Sequence, residues 1–296
     1  MIKSMNRLPI AKRSAILGML AEGMSLRATS RLADVSINTV SKLQVEAGAA
    51  CQAYQDKTLR DLKCRRIQCD EIWSFVYAKD KNLPRDKWNT FGFGSVWTWT
   101  AIDADSKLIV SWLVGTRDAD SASILMRDLA SRLRYRVQLT SDGHRAYLIA
   151  VEEAFGADID YSQLIKIYGN AGESDSRYSP GECIGAKQER IIGNPDPLQI
   201  STSYVECQNL TMRMSIRRFT RLTNAFSKKL ENHAAAVALH FMHYNFARIH
   251  KTLRVTPAME AGVSDHVWSI EEIVEMIDRA TPKSGPRGPY KKAHST

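Results

Sequence analysis

The stretch RRIQCDEIWSFVYA, residues 65–78, decides the fold class, because it sets an acidic pair inside a run of β-branched and aromatic residues that is typical of a strand. Two further runs, FGFGSVWTWTAIDA at 91–104 and KLIVSWLVG at 107–115, have the alternating or nearly continuous apolar pattern of strands. We therefore predict three strands. The charged loop 79–87 separates the first two, and the DADS turn at 103–106 joins the last two as a hairpin.

Beyond Asp118 the spacing of apolar residues changes from the period of a strand to that of a helix. One face of this helix carries Ile124, Leu125, Leu129 and Leu133. A strand at 136–142, a helix through Tyr147, Val151 and Phe155, and a fifth strand at 159–168 follow. Residues 169–201 contain five glycines and three prolines, which predicts a long loop, and a long helix begins near Ser203. This order predicts an α/β fold with one mixed sheet flanked by helices.

The first fifty residues show the spacing of a helix-turn-helix. In SLRATSRLADVSINTVSKLQ, residues 25–44, Ser25 can cap one helix, 34–36 can form a tight turn, and Ser36 or Asn38 can open the next helix. The second helix of such a motif enters the major groove. The candidates for DNA contact are therefore Asn38, Thr39, Ser41 and Lys42. A plain three-helix bundle is the alternative interpretation.

Composition limits the classes of function. The net charge of +9 and the pI near 9.3 favour a polyanionic partner, and the basic tail 282–296 is predicted to be disordered. Five cysteines without a CxxC pair argue against a disulfide framework or a zinc site. No apolar run approaches the ~20 residues of a membrane span, and the N-terminus resembles no signal peptide, so we expect a cytoplasmic protein.

These patterns divide the chain into five segments. We predict a DNA-binding domain at 1–50, a linker at 51–65, a catalytic domain at 66–262, a C-terminal packing helix at 263–281, and the tail.

Three carboxylates carry the predicted chemistry. Asp70 or Glu71 lies in the middle of an apolar strand, where an acid is costly to bury without a cation, and successive strand residues face opposite sides, so only one should enter a cleft. Asp142 ends the fourth strand, where ligands of α/β sheets gather. Glu206 leads an amphipathic helix whose face continues through Leu210 to a basic stripe formed by Arg213, Arg217 and Arg221.

Each carboxylate also has a structural explanation. The acid of the first strand could pair with an arginine, Asp142 in TSDG could cap a helix, and Glu206 could belong to a solvated face. Convergence of the three in one cleft would instead suit divalent metal ions, which prefer oxygen ligands.

At these motifs the chain resembles transposases of the insertion-sequence-one family, within the class that bears an Asp, Asp, Glu triad. Asp70 in DEIWSF, Asp142 in SDG and Glu206 in VECQNLTMR match the triad, and Asn209, which follows as expected, is a predicted DNA contact. The resemblance makes Glu71 a neighbour rather than a ligand. It implies a ribonuclease H-like mixed sheet, two Mg²⁺ or Mn²⁺ ions, binding of terminal inverted repeats of double-stranded DNA, and cleavage and strand transfer by a homodimer or higher oligomer.

Two further features bear on the resemblance. The segment YNFARIHKTLRVTPAM, residues 244–259, is similar to a signature of related transposases and nominates Tyr244, Asn245, Arg248 and His250 for DNA positioning or active-site support. Cys207 departs from the family, which usually has arginine there, and we expect it to remove a cation beside the site. A structure-specific nuclease of the same fold and a DNA-binding transcription regulator remain alternatives.

Overall fold

The computed structural model of the chain describes residues 7–169, 183–220 and 224–280. Its strands form one six-stranded sheet in the order β3-β2-β1-β4-β5-β6. Their bounds are β1 Arg66–Val76, β2 Gly94–Asp103, β3 Ile109–Gly115, β4 Gln138–Asp142, β5 Asp160–Tyr168 and β6 Cys183–Ile192. The helices are α1 Ile10–Ala21, α2 Leu26–Leu32, α3 Ile37–Thr58, α4 Ala119–Arg132, α5 Ala146–Phe155, α6 Ser203–Ser215, α7 Leu230–Met242, α8 Pro257–Glu260 and α9 Ile270–Ala280.

The sheet is mixed. Strands β1, β2 and β3 form an antiparallel meander, β4 pairs parallel with β1, and β5 pairs parallel with β4. The predicted α/β architecture, a mixed sheet flanked by helices, is therefore confirmed, and a meander adjoining two parallel strands is the order that the family resemblance implies.

Alternation along β1 assigns its side chains to two apolar layers. Ile67 and Cys69 belong to a large cluster that also includes residues of α1, α3, α4, α5 and α9. Ile72 belongs to a second cluster, formed with Val205 and Met212 of α6 and with residues of α7. Both faces of the central strand are thus covered, which positions α5 and α6 on opposite sides of it.

The predicted loop 169–201 is wrong for residues 183–192, which form β6 antiparallel to β5. This strand is the edge of the sheet and is exposed or half-buried throughout its length. Edge strands carry charged residues and lack a clear apolar face, so CIGAKQERII gave no strand signal. Residues 170–182 of the predicted loop lie outside the described residues.

The predicted linker 51–65, which the sequence allows to be helical or extended, is helical over its first part, because α3 continues to Thr58. Cys51 and Gln55 are buried where α3 crosses α7. A Cβ on Gly48 would lie 2.4 Å from Cα of Ala235, so a glycine is needed for this close crossing. Packing against α7, a contact distant in sequence, extends the helix beyond the predicted domain boundary.

Helices α1 and α2 begin and end close to the predicted positions, and α3 begins where predicted. The hydroxyl oxygens of Ser25 and Ser36 accept hydrogen bonds from the backbone N–H groups of Ala28 and Thr39, each at 3.1 Å, which confirms both caps. The use of α2 and α3 as a DNA-binding motif stays a prediction.

The C-terminal helix packs against α1. Ile273, Val274 and Ile277 of α9 are buried, and Arg13 of α1 donates to Asp278 at 2.7 Å. This agrees with the packing role predicted for 263–281, whereas the tail 282–296 lies outside the described residues. Within the described ranges, no helix combines the length and apolarity needed to span a bilayer.

Candidate active site

A cavity of about 810 Å³ lies where β4 ends, between the sheet and α6. Strand register creates it: Cys69 of β1 pairs with Ser141 of β4, so the next residues along each strand, Asp70 and Asp142, are neighbours. Both line the cavity, and Glu206 of α6 lines it as well. The three carboxylates predicted from sequence are therefore brought to one cavity.

Three acidic side chains cluster at its floor. Oxygens of Asp70, Glu71 and Asp142 all lie within 4.8 Å of one another. The prediction that only one member of the Asp70–Glu71 pair can enter the cleft is wrong. Although the two side chains leave β1 on opposite faces, Asp142 at the end of β4 can be approached from both faces.

Glu71 has its own set of partners on the α5 side of the sheet. Its Oε1 accepts a hydrogen bond from Nε of Arg117 at 2.7 Å, and its Oε2 accepts one from the Tyr147 hydroxyl at 3.2 Å. Arg117 in turn lies 4.7 Å above the ring of Trp97. Arg117 therefore contacts both Glu71 and an aromatic ring.

Burial and mutual repulsion leave the cluster with excess negative charge. Burial, followed by the charges of Asp142 and Glu71, raises the pKa of Asp70 to about 7. Burial and the charge of Asp142 also raise the pKa of Glu71, in spite of Arg117. Because like charges held this close favour protonation, a cation placed among them would restore the ionised forms.

Asp70 is held in place by two hydrogen bonds. Its Oδ1 accepts a hydrogen bond from the backbone N–H of Glu71 at 2.8 Å, and its Oδ2 accepts one from Nδ2 of Asn209 at 2.8 Å. We predicted Asn209 as a DNA contact, but its amide nitrogen orients the carboxylate. The spacing of three residues between Glu206 and Asn209 places both on the cavity side of α6.

Glu206 stands apart from the compact cluster. Its Oε2 pairs with Nζ of Lys166 on β5, and its Oε1 accepts from the Thr202 hydroxyl. Within the described residues, the group of ligand atoms within 4.8 Å contains Glu71 instead of Glu206. A lysine thus occupies the side of Glu206 where the predicted triad would need a cation.

The walls of the cavity add basic side chains to this acidic floor. Arg117, Arg145, Lys166 and Arg213 all line it. Arg213 was predicted from the basic helix face, whereas the other three were missed. Arg117 follows β3 and Lys166 lies within β5, both at positions with no local motif, so only the sheet register brings them to the carboxylates.

The predicted basic stripe is not one helix face. Helix α6 ends at Ser215, and Arg217 begins a separate 3₁₀ turn that ends at Phe219. The stripe prediction is therefore wrong at Arg217, because the chain turns where Ile216 and Phe219 become buried. Arg221 lies outside the described residues.

Residues of the proposed helix-turn-helix lie at a different cavity, of about 780 Å³, which Asn38 and Ser41 line together with Arg27 and Arg217. Lys42 is exposed, and the Thr39 hydroxyl lies 2.9 Å from that of Ser36 in the helix cap. These positions are compatible with the predicted contacts but do not test them.

The 244–259 segment divides between core and surface. Tyr244 is buried, and buried Asn245 donates to the carbonyl oxygen of Ile109 at 3.0 Å and accepts from its N–H at 2.9 Å. These hydrogen bonds tie the segment to β3. Arg248 and His250 line a third cavity with Cys207, across α6 from the carboxylates. The expectation that Cys207 removes a cation beside the carboxylates is wrong, because its side chain faces away from them.

Comparisons with known proteins give only distant similarities. No protein-family model and no curated protein matches the chain. It is similar to the Mos1 transposase paired-end complex with left transposon end at 17% identity and a TM-score of 0.21, over 51% of this chain and 58% of that one. A piggyBac transposase synaptic complex with hairpin DNA is similar at 9% identity and a TM-score of 0.43, over 93% and 73%.

The Mos1 mariner paired end complex with Mn is similar at 16% identity and a TM-score of 0.22, over 52% of this chain and 57% of that one. The chain thus spans less than two thirds of either Mos1 protein. Scores of this size establish neither family nor activity, so the functional interpretation rests on the residues of the site.

Proposed function

We propose that this protein is a DNA transposase that binds the terminal inverted repeats of an insertion sequence and catalyses metal-dependent DNA cleavage and strand transfer. The observation that carries the proposal is the compact cluster of Asp70, Glu71 and Asp142 where β4 ends, in which burial and mutual repulsion raise the pKa of Asp70. The family resemblance at the same residues and the net charge of +9 support it.

The side chains fit hard divalent cations. Carboxylate oxygens are the ligands that Mg²⁺ and Mn²⁺ prefer, and repulsion from neighbouring carboxylates contributes to the raised pKa values of Asp70 and Glu71. Asp70, Asp142 and Glu206 are the proposed ligands, and Glu71 stands close enough to be a fourth. When bound, two such ions supply a more acidic nucleophilic oxygen and a neutralised leaving oxygen for phosphodiester chemistry.

The residues of the chain prepare this cavity for a phosphodiester. Asn209 fixes the orientation of Asp70 through its 2.8 Å hydrogen bond. Lys166 and Arg145 offer positive charge in the cavity wall, where a phosphate approaching the acidic floor would otherwise be repelled. Lys166 must exchange its contact with Glu206 for one with DNA before Glu206 can act as a ligand.

Handling two element ends in one reaction requires at least a dimer on DNA. In each half, we propose that α3 presents Asn38, Thr39, Ser41 and Lys42 to the inverted repeat, while the carboxylate cavity holds the scissile phosphate. The proposal therefore separates recognition of the ends from the chemistry.

Gel analysis of reaction products tests the proposal. Duplexes from both flanks of the coding region would be incubated with the full chain and Mg²⁺ or Mn²⁺, next to Asp142→Asn and the exposed-carboxylate control Asp86→Asn. We expect cleavage and joined products with the wild type and the control, and neither with Asp142→Asn.

The same gel separates the alternatives. Cleavage without joining would identify a structure-specific nuclease and reject strand transfer. Binding without any metal-dependent product would identify a DNA-binding regulator and reject the enzyme altogether.

A further inference from the structure

A small cavity on the other side of α6 has the opposite electrostatic character. It has a volume of about 230 Å³, and its walls come from α6, from the β2–β3 hairpin and from the segment after α7. Two faces of α6 line different cavities. This cavity is lined by Tyr204, Cys207, Gln208 and Thr211, and the carboxylate cavity is lined by Glu206, Asn209, Leu210 and Arg213. One helix therefore separates the two sites.

The cavity gathers positive charge without a neutralising acid. Lys107, Arg248 and Lys251 line it with His250, and none of its lining residues is Asp or Glu. We call these four residues the cationic pocket. Burial, followed by the charges of Lys107 and Arg248, lowers the pKa of His250, which lines the pocket with both cations.

Uncharged groups hold the cations in this arrangement. Lys107 sits in the hairpin at a φ of 62°, and its Nζ donates to the carbonyl oxygen of Ala104 and lies 3.3 Å from the ring centroid of Tyr204. Arg248 donates to the Ser215 hydroxyl at 3.3 Å. Within the described part of the chain, none of the three cations pairs with a carboxylate, and Nδ1 of His250 is buried without a hydrogen-bond partner.

We propose that the cationic pocket binds a backbone phosphate of the DNA strand that lies across a groove from the strand in the carboxylate cavity. A phosphate matches the pocket because its oxygens can accept from a guanidinium and two ammonium groups at once, and because 230 Å³ cannot hold a base pair. The inference rests on the proposed function and places the second DNA strand of the duplex at the cationic pocket.

The dimensions of DNA favour this source of the phosphate over a free ion. An α-helix with its side chains is ~10–12 Å wide, and the major groove is ~12 Å wide, so sites on the two sides of α6 are about one groove apart. Arg248 and Lys251 are exposed at the mouth of the pocket, where a strand can reach them without entering the protein.

Salt-dependent binding tests the proposal without requiring catalysis. Binding of a duplex carrying an element end would be measured in EDTA over a range of KCl, for the wild-type full chain and for Arg248→Gln/Lys251→Gln. The control, Lys57→Gln/Lys63→Gln, removes the same charge from exposed lysines elsewhere. All three proteins should have equal melting temperatures, because the substituted side chains are exposed.

We expect the pocket variant to bind about tenfold more weakly near 0.1 M salt, with a slope of log K against log [salt] that is shallower by about 1, as for one lost phosphate contact. The control should match the wild type. Equal binding and equal slopes for the pocket variant and the control would overturn the proposal.

An NMR titration of the His250 ring distinguishes the sources of phosphate, with His250→Gln identifying the resonance. The duplex should shift it, whereas inorganic phosphate at the same ionic strength should not. A saturating shift with inorganic phosphate and none with DNA would overturn the DNA assignment. If the pocket variant loses the salt-dependent contact but the wild-type chain never cuts DNA, only the proposed function is contradicted. If the wild-type chain cuts DNA but the pocket variant keeps the wild-type salt slope, only this inference is contradicted.

Discussion

The two sides of α6 differ in the sign of the charge that they leave unbalanced. Towards β4, Asp70, Glu71 and Asp142 lie within 4.8 Å of one another, and burial with mutual repulsion raises the pKa of Asp70 to about 7. Towards the β2–β3 hairpin, Lys107 and Arg248 face His250, and burial with their charge lowers its pKa. One helix thus separates an acidic site from a basic site.

This difference in charge indicates which ligands each side of α6 would bind. Clusters of like charge reduce stability unless a counter-charge binds, so each side marks a site for a ligand of the opposite sign. Divalent cations would balance the first side, and phosphates the second. Metal-loaded DNA supplies both.

Removal of one acid from the cluster should abolish chemistry but not binding. We expect Asp142→Asn to reduce cleavage at least about 10³-fold while end binding in EDTA changes less than about threefold, because the carboxylate acts only through the metal. Single-turnover cleavage and filter binding would measure the two effects. Cleavage within tenfold of the wild type would show that Asp142 is not a ligand.

The acidic side should lower the stability of the metal-free protein at high pH. The folded pKa of Asp70, about 7, exceeds its ordinary unfolded value, so the folded chain binds more protons and the free energy of unfolding falls as the pH rises from about 4 to 7. Asp70→Asn removes this loss. We expect it to raise the free energy of unfolding by roughly 2–3 kcal/mol at pH 8 and by little at pH 4.

Urea denaturation of the metal-free proteins at both pH values would measure this. A destabilised Asp70→Asn protein at pH 8 would contradict the assigned charge imbalance.

The basic side should respond to pH in the opposite direction. Behind the pocket, burial and the charges of His243 and Arg248 lower the pKa of His240 to about 3. The unfolded chain therefore binds more protons below about pH 6.5, and the free energy of unfolding falls by about 2 kcal/mol from this residue between pH 7 and pH 5. Denaturation of His240→Gln should show a correspondingly smaller difference between these pH values, and an unchanged difference would exclude His240 as the cause.

Lys166 should have the smallest effect. It competes with metal for Glu206, so Lys166→Gln should tighten Mn²⁺ binding two- to fivefold, while the loss of a half-exposed ion pair should change the free energy of unfolding by less than ~0.5 kcal/mol. Calorimetry with Lys187→Gln, which removes another lysine paired with a glutamate, provides the control. Weaker Mn²⁺ binding in Lys166→Gln would show that the lysine supports the site instead of competing.

Local signals in the sequence predicted most of the architecture. The caps at Ser25 and Ser36, the meander around Asp70 and the change of period after Asp118 depend on neighbours in sequence, and the structure has each of them. The edge strand β6 and the extension of α3 depend on pairing with β5 and packing on α7. No local pattern encodes those contacts.

The candidate site shows the same division. Asp70, Asp142 and Glu206 were found because an acid in a strand, after a strand or ahead of a basic face is locally unusual. Strand alternation allowed only one of Asp70 and Glu71 into the cleft, and the family resemblance then excluded Glu71. The alternation rule fails where the neighbouring strand β4 ends. Arg117 and Lys166 could not be found, because only the register of the sheet brings them to the acids.

Titration of the metal-free full chain with Mn²⁺, followed by electron paramagnetic resonance, tests the central claim most directly. The account predicts that the wild type binds Mn²⁺ and that Asp70→Asn and Asp142→Asn each weaken binding at least about tenfold, while Asp86→Asn binds as the wild type does. Equal Mn²⁺ affinity in all four proteins would contradict the assignment of the acidic side of α6 as a metal site.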